Sequence, residues 1–169
     1  KEAFVESSEI NRSLIRKYVK NEKLVAESLD VGERSLYEVS LMYIKGLADD
    51  QLVGNVRKRI MEVQVDGMVS ITQLQQHMEE RTYSLVPSVL YTERPDRAAS
   101  FLMEGYVVVS NGSPGCLIVP VTIWSFFHTA EDQYQRWPYA NFMRIIRMLA
   151  YFIALLTPGT YVALSEFHI

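Results

Sequence analysis

Alternation of apolar and polar residues predicts strands in several parts of the chain. From Leu24 to Ile44 the pattern is strand-like and is broken at Gly32. In its second half both faces are apolar, with Val39, Leu41 and Tyr43 on one and Met42 and Ile44 on the other. Such a strand is covered on both sides. Further strands are predicted at Pro87–Tyr91, Tyr106–Ser110 and Gly115–Thr122.

Apolar residues at helical spacing predict helices between these strands. Ile10, Leu14 and Tyr18 form the apolar stripe of the first helix. The second follows Asp49 or Asp50, either of which is a suitable cap, and its stripe is Leu52, Val53, Val56, Ile60 and Val63. Ser70 and Gln73 form a capping box for a short third helix. A fourth helix begins at Pro95 and ends at Gly105.

The order of these elements predicts the fold class. Strand, helix, strand and hairpin in succession indicate an α/β domain with an α+β mixed sheet, whose neighbours are both parallel and antiparallel, and flanking helices. Asn111-Gly112 is the expected corner of the last hairpin.

The C-terminal part differs from the rest because Met148–Ser165 contains no charged residue. These 18 residues span roughly 27 Å as a helix, close to the ~30 Å of a hydrocarbon core. Trp137 and Tyr139 are aromatics of the kind that lie at headgroup level. The pattern predicts a transmembrane helix, with a buried helix of a soluble protein as the alternative.

Arginines precede the apolar run, at Arg136, Arg144 and Arg147. The positive-inside rule therefore predicts that the N-terminal domain is cytoplasmic. Pro158 and Gly159 are expected to kink or interrupt the helix. We predict a domain at 1–135, a juxtamembrane segment at 136–147 and a transmembrane helix at 148–165.

Composition gives little support to several functional classes. The net charge is −3 and no basic stripe interleaves with aromatics, so we expect no nucleic-acid partner. His77, His128 and His168 are far apart and lack metal-ligand spacing. We find no nucleophile motif and no facing carboxylate pair, and Cys116 lies in an apolar run. We expect no enzyme, no metal and no cofactor.

The stretch TERPDR contains four charged residues at the start of the fourth predicted helix: Glu93, Arg94, Asp96 and Arg97. One interpretation is a helix start with local ion pairs, each worth at most about 1 kcal/mol when exposed. The other is an electrostatic contact with another subunit, in which the arginines bind carboxylates.

Several stretches together resemble the A subunits of GerA-type spore germination receptors. They are KEAFVE, LMYIKGLADDQLV, VDGM, YTERPDRAASFLMEG, VVVSNGSPGCLIVP and WSFF–AEDQY–RWPYANFMRIIRMLAYFIALL. The resemblance runs over nearly the whole chain, which looks like the second cytosolic subdomain followed by the first membrane helix. SpoVAF proteins, a paralogous group that assists ion release, share these motifs and remain an alternative.

The resemblance implies a function without catalytic residues. A subunits of this family assemble with a transporter-like B subunit and a lipoprotein C subunit in the spore inner membrane. They are thought to form homo-oligomers with a ligand-gated ion path. We therefore expect subunit partners and membrane lipid as contacts. A soluble α/β ligand-binding module with a hydrophobic C-terminal helix is the alternative from another class.

Overall fold

Five antiparallel strands form the central sheet of this computed structural model, which describes residues 2–32, 37–63, 70–79, 87–122, 125 and 137–166. The strands are β1 (Leu24–Val31), β2 (Tyr37–Ile44), β3 (Leu90–Thr92), β4 (Val107–Ser110) and β5 (Cys116–Val119). The helices are α1 (Ser8–Tyr18), α2 (Asp50–Met61), α3 (Ile71–Met78), α4 (Pro95–Met103) and α5 (Trp137–Glu166). The chain divides into two compact units, Lys1–Thr122 and Ile123–Ile169.

The strand order confirms the predicted fold class and corrects one part of it. The order is β1-β2-β4-β5-β3, and every strand pair among the described residues is antiparallel. The expected parallel neighbours are therefore wrong. Strands β3 and β4, which α4 connects, do run in the same direction, but β5 lies between them and is antiparallel to both. The hairpin after β4 returns the chain into that gap, where Gly112 has φ 78°.

Both faces of the sheet are covered by helices, as the apolar pattern of β2 predicts. Val39 and Leu41 belong to the core beneath α2 and α3. Met42 and Ile44 belong to the core beneath α1 and α4. The alternation of side chains along a strand sends successive residues of β2 to opposite cores.

Helix termini follow the local capping signals. Asp49 accepts a hydrogen bond from the backbone N–H of Gln51 and caps α2. Ser70 and Gln73 form the capping box of α3. Arg94 is extended (φ −97°, ψ 115°) before Pro95, the first residue of α4. Gly105 has φ 93°, which suits the end of that helix.

The apolar stripe that we predict for α1 is wrong at two of its three positions, since only Leu14 packs against the core. Ile10 and Tyr18 are exposed, whereas Asn11 and Ile15 are the buried residues of the helix. Asn11 can be buried on this face of the helix because both its Nδ2 and its Oδ1 form hydrogen bonds. Its Nδ2 donates to the carbonyls of Val5 (2.7 Å) and Ser113 (3.2 Å), and its Oδ1 accepts from Val5 N–H (2.9 Å).

Helix α5 contains the predicted transmembrane segment and extends well beyond it on the N-terminal side. It runs for 30 residues and continues through Pro158 and Gly159 without interruption. A kink at these two residues stays a prediction. The domain boundaries at 135 and 147 also stay predictions. The division of the chain into two compact units falls between residues 122 and 123.

Candidate functional site

The TERPDR turn joins edge strand β3 to α4 and is organised by ion pairing within the turn. Arg94 and Asp96 form a two-bond pair, with Nε–Oδ1 at 3.1 Å and Nη2–Oδ2 at 2.8 Å. Asp96 Oδ1 also accepts the backbone N–H of Arg97 at 2.9 Å. A carboxylate in the first turn of a helix complements the helix dipole. Three of the four predicted contact residues are thus joined by hydrogen bonds.

Glu93 is bound by a tyrosine outside this pair. The Tyr91 hydroxyl donates to Glu93 Oε1 at 3.1 Å. The Tyr91 ring lies over Gly115, where a Cβ would come within 2.5 Å of it. Burial and the hydrogen bond to Glu93 raise the pKa of Tyr91. Gly115 therefore makes room for the tyrosine that holds Glu93 at the surface.

Within the part of the chain that the structure describes, Arg97, like Glu93, forms no ion pair. Its Nε is buried and has no hydrogen-bond partner, and its guanidinium carbon lies 5.9 Å from the centre of the Phe101 ring. Burial, and secondly the charge of Arg94, lower the pKa of Arg97. An unsatisfied buried donor on a charged group is costly. The sequence places Arg97 in the turn but does not reveal this burial.

A second charged cluster, which no sequence motif indicates, connects β1 to α2. Arg57 donates from Nε and Nη2 to both oxygens of Glu27 at 2.8–3.0 Å, and the Tyr43 hydroxyl donates to Glu27 Oε1 at 2.7 Å. Burial would raise the pKa of Glu27, but the hydrogen bonds from Tyr43 and Arg57 and the charge of Arg57 lower it overall. The three residues are 14 or more positions apart, so no local motif reveals the cluster.

The described residues contain little that suggests catalysis. Within the described ranges no three His, Cys, Asp or Glu side chains converge as metal ligands. Burial raises the pKa of Cys116, which disfavours the thiolate form. A cavity of about 120 Å³ opens between α2, α3 and β5, near Arg59 and Met78. Ligand pockets for drug-sized molecules are usually 300 Å³ or larger.

Helix α5 has the composition and the exposure of a membrane span. The candidate span is Pro138–Glu166, and none of its most apolar 18-residue window is buried. The whole helix is about 45 Å long, enough to cross a ~30 Å hydrocarbon core and both headgroup layers. A helix of this length that is apolar on all sides is typical of a membrane environment.

Polar side chains inside the apolar run are satisfied by their own helix. Thr157 Oγ1 donates to the Ile153 carbonyl at 2.6 Å, and Thr160 Oγ1 donates to the Thr157 carbonyl at 3.0 Å. Ser165 Oγ donates to the Val162 carbonyl at 2.9 Å. Such bonds let hydroxyl groups enter hydrocarbon without loss of hydrogen bonding, and they flank Pro158, which lacks an N–H donor.

The predicted membrane-interface residues lie in or before the first part of α5. Tyr139 is exposed, and Arg144 and Arg147 are half-buried residues that both have interaction partners. Trp137 is the first residue of the helix. Arg136 lies outside the described residues. These residues are therefore consistent in position with an interfacial segment, and their contact with lipid stays a prediction.

Comparison with protein families gives a match over the whole chain. The model described as "Bacillus/Clostridium GerA spore germination protein" matches residues 1–169. The chain is 36% identical over 169 residues to spore germination protein KA of Bacillus subtilis (strain 168), covering 99% of this chain and 31% of that protein. It is 35% identical over 166 residues to spore germination protein B1 of the same strain, covering 98% and 34%.

Two further similarities bear on function and fold. Stage V sporulation protein AF of Bacillus subtilis is 34% identical over 149 residues, covering 87% of this chain and 30% of that protein. Among solved structures, the N-terminal domain of the A subunit of the Bacillus megaterium spore germinant receptor GerK3 is 34% identical with a TM-score of 0.57, covering 72% of this chain and 98% of that one. The chain spans about a third of the length of these curated relatives.

Proposed function

Because this chain belongs to the GerA family of spore germination proteins, we propose that it is part of the A subunit of a membrane nutrient germinant receptor. Its role is non-enzymatic: the α/β unit transmits a signal, and α5 is the first membrane-spanning helix. The observation that supports this most directly is α5, whose most apolar window is unburied over its whole length.

The proposed assembly follows from the family and not from contacts within this chain. We propose that the A subunit works with a transporter-like B subunit and a lipoprotein C subunit, and that several A subunits form a ligand-gated ion path. Glu93, Arg94, Asp96 and Arg97 are the proposed contact residues between subunits. Support for this role comes from the TERPDR turn, which is ordered by the Arg94–Asp96 pair and thus presents a preformed surface.

The proposed location is the spore inner membrane, with the α/β unit on the cytoplasmic side, in the spore core. Arginines on the N-terminal side of the apolar run support this orientation. Protease treatment of sealed vesicles tests it. We expect the protease to digest the α/β unit in vesicles whose cytoplasmic face is outside. The unit should be protected in vesicles whose cytoplasmic face is inside. The reverse pattern would reject the orientation.

A second candidate within the same biology is an accessory protein of ion release. The similarity to Stage V sporulation protein AF favours it, although that match covers 87% of the chain and the match to protein KA covers 99%. The soluble ligand-binding module is less well supported, because such a protein would bury the apolar surface of α5.

One experiment separates the two germination roles. The full-length protein is reconstituted with its partner subunits in vesicles, and ion flux is measured with and without nutrient. A receptor subunit produces nutrient-dependent flux, and spores that lack it lose the response to a particular germinant. Spores that lack the protein but respond to every germinant would favour the accessory role.

A further inference from the structure

The N-terminal part of α5 has an exposed apolar face. Five large side chains on it have 41–58% of their surface accessible: Tyr139, Phe142, Ile145, Ile146 and Leu149. Steps of three, four and seven residues separate them, which places all five on one side of an α-helix. Together these residues are the outer stripe. Four of them precede Met148, in the segment that the sequence assigns to the juxtamembrane region.

The opposite side of the same segment is covered and carries its charges. Ala140 is buried, and Met143, Arg144 and Arg147 are half-buried. Both arginines have interaction partners. The surface helix of a soluble protein turns its apolar side to the core and its charged side to water. This part of α5 has the reverse arrangement, with the apolar side outward and the arginines on the covered side.

The outer stripe continues directly into the membrane span. Phe152, Ile153 and Leu156 are exposed and extend it at the same helical spacing, and α5 is one uninterrupted helix. None of the stripe residues from Phe142 to Leu156 has a polar side chain. A surface that binds another protein normally surrounds its apolar centre with a polar rim. Acyl chains of lipid need no polar group, so they fit a stripe of this composition.

The thickness of a membrane also extends the embedded part of α5 beyond the uncharged run. The midpoint of the candidate span Pro138–Glu166 is Phe152, and that of Met148–Ser165 is close to Leu156. Half of a ~30 Å hydrocarbon core takes about ten helical residues. Counted back from these two midpoints, the boundary of the hydrocarbon core lies between about Phe142 and Ile146.

We propose that the outer stripe from Phe142 onward contacts lipid acyl chains, and that Arg144 and Arg147 enter the membrane on the side of α5 turned away from lipid. Ionisable residues inside a membrane are normally paired and face protein or a water-filled cavity. The covered position and the interaction partners of both arginines meet this condition. The inference rests on the proposed function, because it requires α5 to span the membrane.

Fluorescence quenching by brominated lipid compares the two faces at matched depth. The two tryptophans of the chain, Trp124 and Trp137, are replaced by phenylalanine. A single tryptophan is then introduced as Phe142→Trp or Ile146→Trp on the outer stripe, or as Met143→Trp on the covered side. Met143 lies between the other two in depth and is therefore the matched control. Each chain is reconstituted in phosphatidylcholine vesicles with or without bromine at carbons 6 and 7 of the acyl chain.

We expect brominated lipid to reduce the emission of Phe142→Trp and Ile146→Trp at least about twofold, since the hydrocarbon boundary lies at this depth. The loss for Met143→Trp should be much smaller, because its side faces away from lipid. Circular dichroism checks that each variant keeps the helix content of the parent. Where Met143→Trp does not, half-buried Met148→Trp and exposed Leu149→Trp make the same comparison further along α5.

Equal quenching on the two faces would overturn the proposed orientation of α5. Stripe positions that brominated lipid does not quench would overturn lipid contact: quenching by aqueous acrylamide would then show that water covers the stripe, and protection from both quenchers would show that protein covers it. Phe152→Trp, in the middle of the span, separates these failures from that of the proposed function. If it is quenched, α5 still enters the membrane. If it is not, the proposed function itself is rejected.

Discussion

Asn11 shows what the sequence does not reveal at the scale of a single residue. A polar residue in a helix is normally assigned to the solvent side, so periodicity predicts an apolar stripe of Ile10, Leu14 and Tyr18 for α1. The amide of Asn11 is nevertheless buried, because it binds backbone groups of Val5 and of Ser113, 102 positions away. The partner that makes this burial favourable is distant in sequence, and periodicity carries no information about it.

We expect Asn11→Ala to destabilise the fold by about 1–3 kcal/mol, because it removes the three hydrogen bonds that the buried amide forms with backbone groups of Val5 and Ser113. The measurement is chemical unfolding of the chain in detergent micelles, followed by circular dichroism. Ser13→Ala, an exposed change on the same helix, is the control and should stay within about 0.5 kcal/mol of the parent. Equal stability of Asn11→Ala and Ser13→Ala would show that the amide is not an anchor.

The Glu27–Arg57–Tyr43 cluster makes stability depend on pH. Since the pKa of Glu27 is lowered in the folded state, its contribution is present above the ordinary value of 4.5 and is lost as the pH falls through the folded value. The parent should therefore lose stability between pH 6 and pH 3 more steeply than Glu27→Gln. Unfolding curves measured across this pH range provide the comparison.

Asp30→Asn is the matched control for that titration. It removes an exposed carboxylate from the same strand, outside the cluster. Its pH profile should follow that of the parent. If Glu27→Gln has the same slope as the parent and as Asp30→Asn, the cluster does not set the acid stability of the fold.

At the scale of elements, local signals predicted most boundaries but not the arrangement of the sheet. The caps at Asp49 and Ser70 and the first turn at Pro95 are short-range features, and the structure confirms them. The insertion of β5 between β3 and β4 depends on pairing between segments far apart, which no local pattern encodes. For this reason the positions of the helices follow from the sequence, while the parallel neighbours that it suggests are wrong.

Replacing a glycine by alanine should change the stability in opposite directions at two positions, one within a helix and one after a helix. Gly54 lies within α2, and a Cβ there would meet nothing within 4 Å. Gly54→Ala should stabilise the fold by about 0.5–1 kcal/mol, since alanine lowers the entropy of the unfolded chain and favours helix. Chemical unfolding measures the change.

Gly105→Ala is the control of opposite sign. Gly105 has φ 93°, and an added Cβ would lie 3.0 Å from the Leu47 carbonyl oxygen. Strain of the left-handed backbone alone costs about 1–2 kcal/mol, so this variant should be less stable than the parent. Gly54→Ala that destabilises α2, or Gly105→Ala that is neutral, would contradict the conformations assigned to these positions.

At the scale of the whole molecule, the candidate functional features were only partly predictable. Composition alone identified the segment that becomes α5, because an uncharged run is a property of consecutive residues. The burial of Arg97 Nε is not predictable from the sequence, since the neighbours Glu93 and Asp96 suggest an ion pair that the structure gives to Arg94 instead. Charge patterns locate such a set, but the surrounding fold decides which of its members are buried and which are paired.

The position of α5 in the bilayer tests the account most directly. Single cysteines are introduced along residues 139–166 in a Cys116→Ser background, labelled with a nitroxide and reconstituted in phospholipid vesicles. Collisions with oxygen and with a water-soluble nickel chelate are then measured by electron paramagnetic resonance. The account predicts that oxygen access is highest and chelate access lowest between about Phe152 and Leu156, with the reverse toward Tyr139 and Glu166. Chelate access at the centre equal to that at the two ends would show that α5 does not cross the membrane.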